Sequence, residues 1–160
     1  MHVYTYICIV KLENAIQSTH FSSNKHKAGL NILYTAWWLK TMIAGELKKY
    51  GITNEQYNVM RVLKGKHPEQ MCIRDIASRM IEKGSNVPRI MDRLEIKKMI
   101  RRTTSVQDKR ETVVNLTTVG LHILQIATTD INNVFNKVII ISEEKASELN
   151  QLLELFREKE

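Results

Sequence analysis

The sequence predicts a mainly α-helical (α+β) chain built around a winged helix-turn-helix, with long helices before and after it. Three observations carry that prediction. Residues 73–80 are apolar at Ile73, Ile76, Ala77 and Met80, the spacing of a short amphipathic helix. After a turn at Lys83-Gly84, residues 87–94 hide Val87, Ile90, Met91 and Leu94 and turn Asn86, Pro88, Arg89 and Arg93 outward. A basic hairpin follows: Arg101-Arg102, then Asp108-Lys109-Arg110 near the tip, then the strand Thr112-Val113-Val114-Asn115-Leu116.

The flanking elements read in order. A first long helix is expected over residues 27–50, with Leu30, Leu33, Trp37, Ala44 and Leu47 along one face and Tyr34, Trp38 and Met42 widening it. Gly51 ends it, and Thr53 with Gln56 three residues on forms a capping box for the next helix. That helix turns Tyr57, Met60 and Leu63 inward and stops before His67-Pro68. After the hairpin, Thr117 caps a helix reaching about residue 139, where Leu124, Ala127, Ile131, Val134, Val138 and Ile141 form a heptad stripe. Ser142 with Glu143 and Glu144 opens a final helix, striped by Ala146, Leu149, Leu153 and Phe156. These terminal stripes need a covering surface, and a second copy of the chain is the economical one. A single domain over 1–160 is expected, with 53–116 its winged-helix lobe and 27–50 and 117–160 its dimerisation helices. Residues 1–24 form an N-terminal extension whose order the sequence leaves open.

Charge sharpens the reading. Residues 61–116 carry 14 Lys/Arg against 7 Asp/Glu, whereas 117–160 carry 4 against 7. Most of the net +7 thus sits on the helix-turn-helix and hairpin, the footprint of a face that meets a polyanion. The expected partner is double-stranded DNA. Cys8 and Cys72 have no metal or disulfide spacing, and the apolar start lacks the features of a signal peptide or a membrane span. A cytoplasmic protein with no membrane partner is expected. His20, His26, His67 and His122 share no ligand spacing, and no nucleophilic triad, carboxylate pair or glycine-rich phosphate loop stands out. No metal, no cofactor and no catalytic residue are therefore assigned, and an enzyme is not expected.

Within the basic region, Arg89 suits a guanine edge and Asn86 an adenine edge. Ser85 is read as helix cap and phosphate donor, since helix N-termini offer free amides to anions. Pro88, Arg93, Lys109 and Arg110 complete the expected DNA-binding set. Asp92 would repel phosphate unless neutralised, so a salt bridge to a wing arginine such as Arg110 is expected; Asp92 and Asp108 are read as supports of the wing. Tyr34, Trp37 and Trp38 are candidates for a ligand pocket, with dimer core as the plainer reading. Cys72 precedes a helix start and is read as a buried structural thiol.

The stretch Val87-Pro88-Arg89-Ile90-Met91-Asp92-Arg93-Leu94-Glu95, with Asp108-Lys109-Arg110 and Leu116-Thr117-x-x-Gly120, resembles the MarR (multiple-antibiotic-resistance regulator) family of transcription factors. The resemblance covers residue 27 to the C-terminus. It implies a homodimer with interlocked terminal helices, two winged helices on a palindromic operator, and repression relieved by a small-molecule effector or an oxidant. Three positions depart from the family pattern. Lys98 replaces the glycine that ends the recognition helix, Ser105 replaces a wing-tip aspartate, which predicts a looser tip, and residues 30–50 lack the peroxide-sensing cysteine. Two functions remain: a ligand-responsive dimeric repressor, and a winged-helix protein-interaction module without specific DNA binding.

Overall fold

The computed structural model describes residues 10–158, and its backbone contacts group them into two units, one up to Met42 and one from Ile43 onward. In the first unit a short helix, α1 (Leu12–Ile16), buries Leu12. Glu13 pairs with Lys27, which holds the Glu13 carboxyl below its ordinary range, and the Lys27 ammonium lies 5.5 Å above the Phe21 ring. Residues 10–23 of the extension therefore carry local structure, while Cys8 lies outside the described residues. Helix α2 (Asn24–Leu47) starts three residues earlier than expected, because Ser23 Oγ accepts from the His26 amide and caps it. Part of its apolar surface stays open, with Leu33 68% exposed and Trp37 58%, while Leu47 at its end is buried.

At the end of α2 the chain tightens into a 3-10 turn, Lys48–Tyr50, and stops at Gly51, whose φ of 64° is the left-handed conformation that glycine adopts without strain. Helix α3 (Asn54–Lys64) opens on the expected capping box. Strand β1 (Met71–Cys72), helix α4 (Ile73–Arg79) and helix α5 (Val87–Ile96) follow, then the hairpin of β2 (Ile100–Thr104) and β3 (Thr112–Leu116). The three strands form one antiparallel sheet in the order β1-β3-β2. Strand β1 was not expected; two residues carry too little pattern to be read. It pairs Met71 with Val114 and Cys72 with Val113, and anchors the wing to the start of α4. There Cys72 is buried, and its Sγ accepts from the Asp75 amide at 3.4 Å.

The core gathers Val59, Met60 and Leu63 from α3, Ile76 from α4, Met91 and Leu94 from α5, and Val114 from β3. Helix α6 (Thr118–Val138) closes it with Leu124, Ala127 and Ile131. That corrects the expected stripe. Its first half is already covered inside the protomer, whereas Val134 and Val138 are half-buried and Ile141 is exposed. Helix α7 (Glu143–Leu155), capped by Ser142 as expected, buries no residue. Leu149, Leu152, Leu155 and Phe156 stand open to solvent. The mainly helical winged-helix fold expected from the sequence is the one observed. Among the described residues no helix is long and apolar enough to cross a membrane.

Candidate nucleic-acid interface

Helix α5 is made amphipathic by its sequence. Val87, Met91 and Leu94 are buried, and Pro88, Arg89, Asp92 and Arg93 lie on the open side. Proline is tolerated in the first helical turn, where its missing N–H has no intrahelical acceptor. The cap differs from expectation. Asn86 rather than Ser85 occupies the N-cap, and its Oδ1 accepts from the Arg89 amide at 3.1 Å. Ser85 sits one residue outside, half-buried, its carbonyl accepting from the Val87 amide. Reading adenine through both amide atoms of Asn86 would therefore compete with the cap. Arg89 and Arg93, one turn apart, face a groove of about 560 Å³ that Thr53 and Gln56 of α3 also line.

The far end of α5 is locked in two ways. Lys97 Nζ donates to Gln56 Oε1 at 2.9 Å and to the Gly51 carbonyl, and burial, with Arg93 nearby, depresses its pKa. Lys98 adopts φ 57°, so the turn is left-handed even though no glycine stands there. The Thr117 hydroxyl donates to the Lys98 carbonyl at 2.7 Å and accepts from the Gly120 amide at 3.0 Å, tying that turn to the start of α6.

The wing tip is braced, not loose. Ser105 is 9% exposed; its amide donates to the Glu111 carbonyl, and its Oγ accepts from the Gln107 and Asp108 amides at 3.2 and 3.3 Å. Ser105 thus closes a local turn as an aspartate would. Asp108 Oδ1 accepts from the Arg110 amide at 2.9 Å, with the Arg110 Nε 3.6 Å away. Lys109 and Arg110 project from this turn, the latter with its side chain 94% exposed.

Asp92 meets a different wing arginine from the one expected. Arg102 Nη2 lies 2.5 Å from Asp92 Oδ1, Arg102 Nε 3.2 Å from Glu95 Oε2, and the Arg102 amide donates to Glu95 Oε1 at 3.3 Å. Position explains the difference: Arg102 leaves β2 beside α5, whereas Arg110 sits in the tip turn. Arg102 had passed as one more basic residue in the sequence, since only the hairpin register opposes it to Val114 and sets it against the helix.

A second groove, of about 790 Å³, lies between α3 and α6, with Arg61 and Lys64 on one wall and Leu121, Gln125 and Asn132 on the other. Nearby, Tyr50 donates to Asp130 Oδ2 at 2.6 Å, and the Tyr57 and Thr128 hydroxyls meet at 3.0 Å. That hydrogen bond to the carboxylate raises the Tyr50 pKa. Of the residues expected to line a ligand pocket, Tyr34 and Trp37 hold their rings 5.6 Å apart, and Trp37 and Trp38 are exposed. Among the described residues no cluster of His, Cys, Asp and Glu is disposed to hold a metal ion.

The sequence profile of the MarR family matches residues 52–112. The curated proteins contain no match to the chain. Among solved structures, AbsC, a MarR family transcriptional regulator from Streptomyces coelicolor, is similar at a TM-score of 0.75 and 19% identity, over 88% of this chain and 97% of that one. MepR of Staphylococcus aureus, solved in complex with DNA, is similar at 0.74 and 23% identity, over 82% and 97%. A MarR transcription factor from Planctomyces limnophilus is similar at 0.64 and 26% identity, over 86% and 98%.

Proposed function

We propose that this chain, whose residues 52–112 match the MarR family profile, is a sequence-specific DNA-binding transcription regulator of that family acting as a homodimeric repressor. One observation carries the reading: Arg89 and Arg93 on the open side of α5 and Lys109 and Arg110 at the wing tip all stand free of the core on one basic lobe. Arg89 faces base edges in the major groove, while Lys109 and Arg110 meet phosphate or the minor groove. Asn86, Ser85, Pro88 and Arg93 frame the N-terminal half of the reading helix. The MepR–DNA complex supports this reading by the likeness of its fold.

The dimer is supported by apolar surface that one protomer leaves open: Ile139, Ile140 and Ile141, and Leu149, Leu152, Leu155 and Phe156 on α7. Covering one such side chain is worth roughly 1.5–3 kcal/mol, so several together favour a second copy strongly. Relief by a small ligand belongs to the same reading. The groove between α3 and α6, with Arg61 and Lys64 for an anionic group, supports such a seat. Selection of bound sequences from random duplex DNA, with and without small carboxylates, tests the proposal. A near-palindromic consensus is expected, its halves read by helices roughly 34–36 Å apart. Recovery of no consensus would instead favour the protein-interaction module.

A further inference from the structure

We propose that Arg102 is the positioning residue that sets the wing on the recognition helix, and that this clamp is what allows Arg110 to act on DNA. The proposal rests on the DNA-binding reading and deepens it. Arg102 leaves β2 toward α5 and is the most sheltered of the wing's ion-paired side chains, at 22% exposure. Its guanidinium spans Asp92 and Glu95, three residues apart on one helix face, and its own amide is held by Glu95 as well. Nη2 donates to Asp92 Oδ1, while the buried Nε meets Glu95 Oε2 as an ion pair at 3.2 Å without a hydrogen bond. One delocalised, planar charge thus serves two carboxylates, which a compact lysine ammonium does not match.

The tip contributes stiffness without direction. Ser105 and Asp108 close it through hydrogen bonds that stay within residues 105–111, so nothing in the tip turn fixes its angle to α5. Direction is set at the root, by the sheet, by Gln70 Nε2 donating to Thr103 Oγ1 at 3.1 Å, and by Arg102, the one of these that ties the wing to α5. From Arg102 to the tip the hairpin extends roughly 15 Å at about 3.3 Å per residue. A tilt of about 10° at the root moves the tip by about 3 Å, as long as a hydrogen bond. Among the described residues Arg110 pairs with Asp108, within the tip itself, so its place on DNA depends on that angle. The clamp also neutralises two carboxylates that share α5 with Arg89 and Arg93 and would otherwise repel phosphate.

Two measurements separate positioning from charge alone. The first is hydrogen exchange of the free protein. Arg102→Gln is expected to speed exchange of the amides at 104–111 at least tenfold while those of α6 are unchanged, and Arg102→Lys to fall between. The second is a double-mutant cycle on a selected duplex with Arg110→Ala. In the parent, Arg110→Ala lowers affinity and flattens the dependence of log affinity on log salt by about 1. In the Arg102→Gln background its effect is expected to be under twofold. Should Arg102→Gln fail to fold, Arg102→Lys carries the cycle. Additive losses in the cycle, wing exchange equal to the parent's, or full function in Arg102→Lys would each overturn the proposal. If the parent binds no duplex, the DNA-binding reading falls, and the exchange measurement still decides the clamp.

Discussion

A Cβ placed on Gly120 would lie 2.0 Å from the Met99 carbonyl oxygen and 2.9 Å from the carbonyl carbon. That oxygen also accepts from the Thr117 amide at 3.1 Å, so backbone rather than a flexible side chain fills the space. The turn between α5 and β2 and the start of α6 are thus packed backbone to backbone. Gly120→Ala is expected to cost about 3 kcal/mol, the upper range for overpacking a well-filled site. The melting temperature should fall by about 6–12 °C. Melting within a degree of the parent would contradict the packing described.

Lys98 is the counterpart on the other side of this junction. Its left-handed φ of 57° strains a side-chain-bearing residue by roughly 1–2 kcal/mol, part of which a glycine returns through its looser unfolded state. Lys98→Gly is expected to stabilise by about 0.5–1 kcal/mol, because the Thr117 hydroxyl still donates to the same carbonyl. Denaturant titration checks this through a higher midpoint at unchanged slope. A lower midpoint would mean that the lysine side chain contributes more than its backbone costs.

Tyr50 and Asp130 predict a response to alkali. The hydrogen bond to the carboxylate favours the neutral phenol, so the folded pKa lies above the ordinary value of 10.0. The contribution to stability is therefore fully present below pH 10 and is lost as pH rises through the folded value. Tyr50→Phe should flatten that alkaline loss while leaving the slope at neutral pH unchanged. Unfolding midpoints measured from pH 8 to 11 decide it, and parallel profiles would count against the bond.

Much of this architecture was legible because its signals are local. The capping box at Thr53 and Gln56, the caps at Thr117 and Ser142, the stop at Gly51 and the amphipathic spacing of α5 each depend on a few neighbouring residues. What escaped depends on distant ones. Arg102 rather than Arg110 holds Asp92 because the hairpin register and the sheet angle bring it there. The heptad stripe of α6 divides between core and surface near Ile131, just past Thr128 and Asp130, which pair with Tyr57 at the start of α3 and Tyr50 just before it, and periodicity cannot express that limit. Asn86 and Ser85 are both good caps, and only the path of the turn before α5 decided between them.

The open apolar surface predicts the assembly. Light scattering should give twice the 18.6 kDa chain mass at micromolar concentration. Leu152→Glu, at a side chain 58% exposed in one protomer, should yield a folded monomer that binds DNA far more weakly. A parent that is monomeric and stable would sink the dimer.

On the proposed reading, α5 reads sequence while the wing supplies sequence-independent grip. The most direct measurement is the affinity of the parent, Arg89→Ala and Arg110→Ala for cognate and scrambled duplexes across a range of salt. Loss of Arg89 is expected to cost roughly 1–3 kcal/mol on the cognate duplex and to relax preference at one position. Loss of Arg110 is expected to weaken both duplexes alike and to reduce the salt slope by about 1. If both variants bind both duplexes as the parent does, these residues do not contact DNA and the winged helix serves another partner.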